Sequence, residues 1–208
     1  RYCGPECQKQ HWEGGGHDQL CKKIKRAGGA EQFYANTKYT EAVAVAAEAC
    51  SADTKGQTCY ICTQPLHWKT KEGLVRGCAC RGTAGFVHVS CLVEQVKILM
   101  DEAEQNNLRE AFREAGKRWY VCSLCEQQYH GVVACALGWA SWKMFLGRPK
   151  EDGVRCSAME QLGNGLHDGG HYEDALSVRE AELAMARRIR RHPLPMLIVQ
   201  ANLATTYR

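Results

Sequence analysis

The spacing of cysteine and histidine between Cys59 and Cys125 constrains this chain more than any other feature. Eight residues form four pairs in the order C-x2-C, C-x-C, H-x2-C and C-x2-C. Thiolate and imidazole are the ligands that Zn2+ prefers, and a short spacing lets one turn present two of them to one ion. The sequence therefore predicts a site for two zinc ions, held by Cys59 and Cys62, Cys78 and Cys80, His88 and Cys91, and Cys122 and Cys125.

Disulfide bonds or buried thiols are the alternative explanation for so many cysteines. The 208-residue chain has 13 cysteines, an odd number, and no secretory signal is visible in it. A histidine within the pairs also has no role in a disulfide framework. Large apolar residues are few between Cys59 and Cys91, whereas a structural zinc contributes roughly 10–16 kcal/mol of apparent folding free energy. We therefore expect zinc to fold this region.

The run C-A-C-R-G-T-A-G-F-V-H-V-S-C-L, at positions 78–92, resembles the RING-CH (RING-variant) zinc finger. A PHD finger has the same ligand order, but the single residue between Cys78 and Cys80 favours RING-CH, as does the length of the gap to His88. The resemblance implies a cross-brace over residues 56–130. In it one zinc is held by Cys59, Cys62, His88 and Cys91, and the other by Cys78, Cys80, Cys122 and Cys125.

The resemblance also implies an activity. RING-type domains similar to this one are ubiquitin ligases that have no nucleophile of their own. They hold a ubiquitin-charged conjugating enzyme in a reactive geometry, which is rate gain by orientation. The matching contact position is Ile61, and Leu124 and Trp119 are expected to wall the same shallow groove. Trp119 and Tyr129 are alternatively core residues, and for Tyr129 the core is the preferred prediction.

Two positions depart from the family pattern on the surface that faces a partner. Gln95 stands where family members often have Trp, and Glu126 stands where some RING ligases have a basic residue. These two residues leave open a second hypothesis, a non-catalytic zinc adaptor or a PHD-like reader of histone tails. A classical enzyme has little support, because a metal with four protein ligands has no open catalytic position.

Within the finger, the sequence predicts a short two-stranded ribbon, a helix and glycine-dependent turns. Leu74-Val75 and Phe86-Val87 are the candidate strands, and the apolar periodicity from Leu92 predicts one helix that extends to about Phe112. Glycine tolerates positive φ and close backbone approach, which a chain folding around an ion requires. The glycines concerned are Gly77, Gly82 and Gly85. His67 is expected to be structural or exposed rather than a ligand.

The N-terminal residues 1–26 resemble the second half of a MYND zinc finger. The pattern consists of C-x3-C at Cys3 and Cys7 and H-x3-C at His17 and Cys21. In that family these pairs belong to two zincs, each completed by an upstream C-x2-C pair that is absent here. The four residues are therefore two half-sites, or alternatively one closed tetrahedral site. Half-sites bind metal weakly, so zinc is doubtful in this segment.

Two helical connections are predicted between the modules. Residues 27–55 form a linker whose stretch from Ala30 to Cys50 is rich in Ala and Glu and lacks Pro and Gly, which predicts a helix. Residues 131–150 contain an apolar helix from Gly131 to Gly147. It is too short for a bilayer span of roughly twenty residues, and Lys143 interrupts it. No membrane span is therefore expected. The net charge is only +4 and the basic residues are not interleaved with aromatic ones, so no nucleic-acid partner is expected either.

Residues 151–208 resemble the start of a tetratricopeptide array of the kinesin-light-chain type. The positions that carry the resemblance are Leu162-Gly163, Leu166, Gly170, Tyr172, Ala175-Leu176 and, in a second copy, Asn202-Leu203-Ala204. An ordinary helical hairpin is the alternative. Repeats of this type present a concave surface to peptide or protein partners, and about three are needed to bury a core.

The sequence as a whole predicts a mostly α fold with small zinc-stabilised modules. We expect a multi-module zinc protein of the cytoplasm or nucleus, in which the finger recruits a conjugating enzyme and the repeats select a protein substrate. The chain has no initiator Met, and both terminal motifs look incomplete, so we expect it to be a piece of a longer protein.

Overall fold

The computed structural model describes residues 9, 14, 17–188 and 193–206, without the side chains of residues 17, 18 and 193–199. The chain divides into two compact units, Arg1–Lys38 and Tyr39–Arg208. The functional interest lies in the second unit, where all four predicted ligand pairs of the finger are found.

The described residues are mostly helical, as the sequence predicts. The helix expected from Ala30 to Cys50 is present with nearly the same bounds, because the segment lacks helix breakers. The helices are α1 (His17–Ala27), α2 (Ala30–Ala49), α3 (Val89–Gln105), α4 (Arg109–Lys117), α5 (Gly131–Phe145), α6 (Gly153–Asp168), α7 (Tyr172–Arg188) and α8 (Pro193–Thr206).

The predicted two-stranded ribbon is reduced to a single contact. No β-strand forms within the described residues, but Val75 and Val87 make an isolated antiparallel bridge with N–H···O distances of 2.8 and 3.1 Å. The Tyr60 N–H donates to the Phe86 carbonyl at 2.9 Å, which joins the first ligand turn to the same segment. Turns around the ligand pairs leave too little extended chain for a ladder.

The prediction of one helix from Leu92 to about Phe112 is wrong. The chain forms two helices, α3 and α4, separated by a turn at residues 106–108. Asn107 has φ of 56°, in the left-handed region that Asn visits more readily than most L-residues. The Leu108 N–H donates to the Ala103 carbonyl at 2.8 Å, which closes the end of α3.

The buried core of the finger is shared with helices that flank it in sequence. One cluster contains Leu74, Phe86 and Leu92 of the finger together with residues of α2 and α5, namely Val43, Ala46, Val133, Ala136 and Leu137. Gly77 permits this packing, since a Cβ added there would lie 2.4 Å from the Cβ of Val133. Helix α5 is therefore apolar because it covers the finger.

Helices α5 and α6 cross at close range through two glycines that the sequence did not single out. A Cβ added at Gly138 would lie 2.9 Å from the Gln161 carbonyl oxygen, and one added at Gly165 would lie 2.5 Å from the Ala134 carbonyl oxygen. These are backbone atoms, which cannot move aside as a flexible side chain does. The two glycines therefore set the distance between α5 and α6.

The C-terminal helices pack through residues that the repeat pattern predicts to be buried. Leu162, Leu166 and Ala175 form a buried cluster with Cys135 of α5. The Asp152 carboxylate caps α6 by accepting the N–H groups of residues 154 and 155 at 2.8 and 3.1 Å. The arrangement is a set of packed helices, and its assignment to tetratricopeptide repeats stays a prediction.

None of the helices described in residues 17–188 and 193–206 has both the length and the apolar character that crossing a membrane requires. In α5, Lys143 lies over the ring of Tyr39, with Nζ 4.2 Å from the ring centroid.

Candidate metal centres

The four predicted ligand pairs meet in two clusters. The first contains Cys59, Cys62, His88 and Cys91, and the second contains Cys78, Cys80, Cys122 and Cys125. Within each cluster the ligand atoms lie within 4.8 Å of one another. The first pair thus joins the third and the second joins the fourth, which is the interleaved arrangement that the resemblance implied.

The distances between ligand atoms fit tetrahedral zinc. Bonds of about 2.3 Å to sulfur and 2.0 Å to nitrogen place neighbouring sulfurs about 3.8 Å apart and a sulfur and a nitrogen about 3.5 Å apart. The His88 Nδ1 lies 3.3 Å from the Cys62 Sγ and 3.6 Å from the Cys91 Sγ. In the second cluster, the Cys80 and Cys122 sulfurs are 3.8 Å apart. The donor atoms therefore suit one zinc ion in each cluster.

The two C-x2-C turns, residues 59–64 and 122–127, have the same backbone geometry. In each, the N–H of the first cysteine donates to the carbonyl of the sixth residue, at 3.0 and 2.9 Å. The N–H of the fifth residue donates back to the carbonyl of the first cysteine, at 2.8 and 2.9 Å. That fifth residue, Thr63 or Glu126, has φ of 60° or 57°. Left-handed backbone at a residue other than glycine is strained. Both turns therefore have the same energetically unfavourable conformation at their fifth residue.

The loop between the second and third ligand pairs uses glycine at two positive-φ positions, as predicted. Gly82 has φ of 62° and Gly85 has φ of 83°. Gly85 is also sterically required, since a Cβ there would lie 2.6 Å from the Cys80 Cβ and 3.4 Å from the Cys78 Sγ. The second cluster therefore leaves no room for a side chain at Gly85.

The protonation of the ligands is set by burial and by backbone N–H groups. Burial raises the pKa of the Cys78 and Cys91 thiols, and raises that of Cys80 to about 11. At Cys125 the Gln127 N–H lowers the pKa to about 7 by stabilising the thiolate.

Two ligands of the first cluster have their pKa shifted towards the form that coordinates metal. Burial lowers the pKa of His88, which keeps the imidazole neutral. Burial opposes ionisation at Cys62, but hydrogen bonds led by the Gln64 N–H lower the pKa of that thiol overall. Since coordination requires neutral imidazole and thiolate, metal binding here releases protons from the remaining thiols.

Glu72 is a residue of this site that the sequence does not indicate. Its carboxylate accepts the Ser90 N–H at 2.6 Å and the Ser90 hydroxyl at 2.7 Å, at the start of α3. Helix α3 carries Cys91 in its first turn. A glutamate in a polar loop gives no sequence signal for a contact with a helix eighteen residues away, so only the structure reveals it.

His67 is structural, as predicted, and does not belong to either cluster. It is buried, its Nδ1 lies 2.8 Å from the Thr70 hydroxyl, and its ring packs edge-on against His88 with centroids 5.4 Å apart.

Three of the four predicted MYND-like ligands have no described side chain. Cys3 and Cys7 lie outside the described residues, and the side chain of His17 is not described, although the residue begins α1. Cys21 lies half-buried on α1. The MYND resemblance therefore stays a prediction.

The three residues predicted to contact a conjugating enzyme have different environments. Ile61 and Leu124 occupy the third position of the two matched turns. Ile61 is half-buried and packs against the core of the finger, whereas Leu124 is 51% exposed. Trp119 differs from the prediction, because it is only 5% exposed and packs edge-on against Phe145 with ring centroids 6.2 Å apart. Tyr129 is buried, as preferred, and burial raises its pKa.

The two departures from the family pattern also lie near the surface. Gln95 is half-exposed and its Oε1 accepts a hydrogen bond from Arg118 Nη1 at 3.0 Å. Glu126 is exposed at the end of the second turn.

A groove of about 840 Å³ lies between the finger and the C-terminal helices. One side is apolar, with Met100, Phe112 and Trp119. The other side is polar and includes Asn164, Arg179, Asn202 and Thr205 of α6, α7 and α8. The groove therefore has one apolar and one polar side.

Comparison with known families assigns the central segment. Residues 59–125 match the RING-variant domain, which is 67 of the 208 residues. No curated protein and no solved structure matches the chain. The segment that holds the two zinc-compatible clusters is thus a RING-variant domain.

Proposed function

We propose that this chain is a RING-type ubiquitin-protein ligase that recruits a ubiquitin-charged conjugating enzyme. RING-variant domains typically engage such enzymes. The observation that carries the proposal is the pair of matched turns, which present Ile61 and Leu124 at the same position of two loops with the same hydrogen bonds. These two partly exposed apolar side chains are the proposed docking surface for the conjugating enzyme.

Each cluster would use all four tetrahedral positions of a zinc ion for protein ligands, so bound zinc would supply rigidity rather than catalysis. The chain's own residues contribute by position. Hydrogen bonds close the two turns and hold Thr63 and Glu126 at positive φ, and the turns would in this way position Ile61 and Leu124 towards the partner. Ubiquitin transfer would then be accelerated by holding the thioester and the acceptor amine together.

The groove between the finger and helices α6 to α8 is the proposed site for a protein substrate or peptide. It runs beside the buried Trp119, and its polar side includes Asn164, whose Oδ1 accepts from Arg179, and Thr205, whose hydroxyl donates to the Ala201 carbonyl. The amide of Asn202 on the same side would hydrogen-bond a peptide backbone. A substrate held there would lie next to the finger that recruits the enzyme.

A second candidate function is a non-catalytic zinc adaptor, which could include a PHD-like reader of histone tails. It is favoured by the two departures from the family pattern. Gln95 is already engaged by Arg118, and Glu126 places a negative charge at the position where some ligases have a basic residue.

The test is self-ubiquitination by the zinc-loaded chain with activating enzyme, ubiquitin and a panel of conjugating enzymes. Ile61→Ala should leave two zinc ions bound in the finger. It should reduce the formation of ubiquitin chains at least tenfold, because it removes the centre of a small interface. Val45→Ala is the matched control, since Val45 of α2 is 53% exposed and is not one of the residues proposed to contact the conjugating enzyme.

Ubiquitin chains that disappear with Ile61→Ala and on metal removal, but persist with Val45→Ala, would support the ligase. A sample with full zinc content that makes no chains with any conjugating enzyme would favour the adaptor. Equal activity of Ile61→Ala and the unmodified protein would contradict the proposed docking surface.

A further inference from the structure

Helix α3 begins directly after a metal ligand and has no capping side chain of its own. Its N-cap residue is His88, which makes no capping hydrogen bond and instead turns Nδ1 towards the thiols of the first cluster. The first N–H groups of any helix lack intrahelical acceptors and carry partial positive charge. For α3 an acceptor has to come from another part of the chain.

Glu72 supplies that acceptor from the loop between the first and second ligand pairs. Its Oε1 accepts the Ser90 N–H at 2.6 Å, and its Oε2 accepts the Ser90 hydroxyl at 2.7 Å. The Thr70 hydroxyl donates to the same Oε2 at 3.1 Å. One half-buried carboxylate therefore holds both the backbone and the side chain of the residue between His88 and Cys91. Bonds of this charge-assisted kind are the stronger ones in proteins.

Two further residues extend this contact beyond the finger. Because the single hydroxyl hydrogen of Ser90 is given to Glu72, the Tyr39 hydroxyl is the donor in its 3.3 Å contact with the Ser90 Oγ. Lys143 of α5 lies over the Tyr39 ring, 4.2 Å from its centroid. We call Tyr39, Glu72, Ser90 and Lys143 the clasp. It joins α2, α3, α5 and the ligand loop, and two of its members lie outside residues 59–125.

We propose that Glu72 is a positioning residue for the first metal cluster and that Tyr39 and Lys143 support it. His88 and Cys91 enter the cluster from one turn of chain, so a change in the direction of that turn displaces both ligand atoms together. Residues that orient metal ligands affect metal affinity by 10- to 100-fold. The inference concerns metal binding and stands whether or not the chain is a ligase.

The test compares metal binding at the two clusters in the full chain. Co2+ is the probe, because a site with three thiolates and one imidazole and a site with four thiolates differ in visible absorption. Glu72→Gln keeps the shape and removes the charge, and Glu94→Gln is the matched control, an exposed glutamate on α3. We expect Glu72→Gln to weaken the first cluster about tenfold and leave the second unchanged, with Glu94→Gln unaffected.

Tyr39→Phe tests the outer part of the clasp. It keeps the ring under Lys143 and removes the hydroxyl, so we expect a smaller loss at the first cluster, about fivefold, as for one neutral hydrogen bond. The 15N chemical shift of the His88 ring nitrogens provides a second readout that reports only on the first cluster. In Glu72→Gln it should show partial loss of coordination at substoichiometric metal.

The result that overturns the proposal is wild-type Co2+ affinity at the first cluster in Glu72→Gln. Equal weakening of both clusters, with a matching fall in melting temperature, would also overturn it, because Glu72 would then be a general structural residue.

Discussion

Replacing Gly85 by alanine should selectively damage the second metal cluster. Gly85 has φ of 83°, and the left-handed region costs an L-residue roughly 1–2 kcal/mol. The added Cβ would also lie 2.6 Å from the Cys80 Cβ, far inside the usual carbon contact distance of about 3.5 Å. Overpacking of this kind costs roughly 1–3 kcal/mol. The expected total is about 2–5 kcal/mol.

Gly82→Ala separates the two contributions. Gly82 lies in the same loop with φ of 62°, and a Cβ there would meet no atom within 4 Å. It should therefore show only the backbone cost of about 1–2 kcal/mol. The difference between the variants is the steric contribution, which corresponds to a roughly 5- to 150-fold loss of affinity. That loss falls on the second cluster because Cys80 cannot withdraw without leaving its ligand position.

The assay is Co2+ and Zn2+ titration of both variants against a competing chelator, with the melting temperature measured in parallel. Gly85→Ala should lose the absorption of the four-thiolate site while the site containing His88 stays filled. The reasoning would be refuted if Gly85→Ala and Gly82→Ala lost affinity equally, or if the cluster containing His88 were the weakened one.

Two predictions concern the helices that follow the finger, and both are checked by urea unfolding. Gly138→Ala should destabilise by about 1–3 kcal/mol despite better helix propensity, because its Cβ would lie 2.9 Å from the Gln161 carbonyl oxygen. Gly116→Ala, where nothing lies within 4 Å of the added Cβ, should instead stabilise by about 0.5–1 kcal/mol. If the two substitutions changed the free energy of unfolding in the same direction, the close crossing would be contradicted. Arg179→Ala should cost about 3–5 kcal/mol, since Arg179 pairs at 3.1 Å with Glu182 and both are buried. A joint change of Arg179 and Glu182 to Met and Leu should recover only the part of the loss that comes from the unpaired Glu182 charge, because Arg179 also donates to the Glu160 carbonyl and to the Asn164 Oδ1. Full recovery would show that these two hydrogen bonds contribute little.

The metal clusters were predictable because the information for them is local. A C-x2-C or C-x-C pair needs only one turn, and a turn is encoded in adjacent residues. Which pair joins which came from the family resemblance, since spacing alone allows more than one pairing. The positive φ at Thr63 and Glu126 was not predictable, because neither residue type favours it.

Other predictions were wrong where tertiary contacts determine the local structure. Apolar periodicity continues through residues 106–108, so it predicted one helix, although Asn106-Asn107 was an available signal for a left-handed helix end. Trp119 precedes a ligand pair in sequence and was expected to reach the partner surface. It is buried because α5 supplies Phe145 for it to pack against, which no pattern around Trp119 indicates.

The difference between local metal ligands and tertiary packing also explains why the recognisable motif is smaller than the unit that folds. Residues 59–125 contain every ligand of the two clusters, but the core beneath them includes Val43 and Ala46 of α2 and Leu137 of α5. Metal ligands need a fixed spacing within a turn, and that spacing is visible in the sequence. Burial needs only an apolar face at the right distance, so it gives a weak sequence signal. A segment cut at the motif boundaries would lose Val43, Ala46 and Leu137, and the core of the finger would then be exposed on those sides.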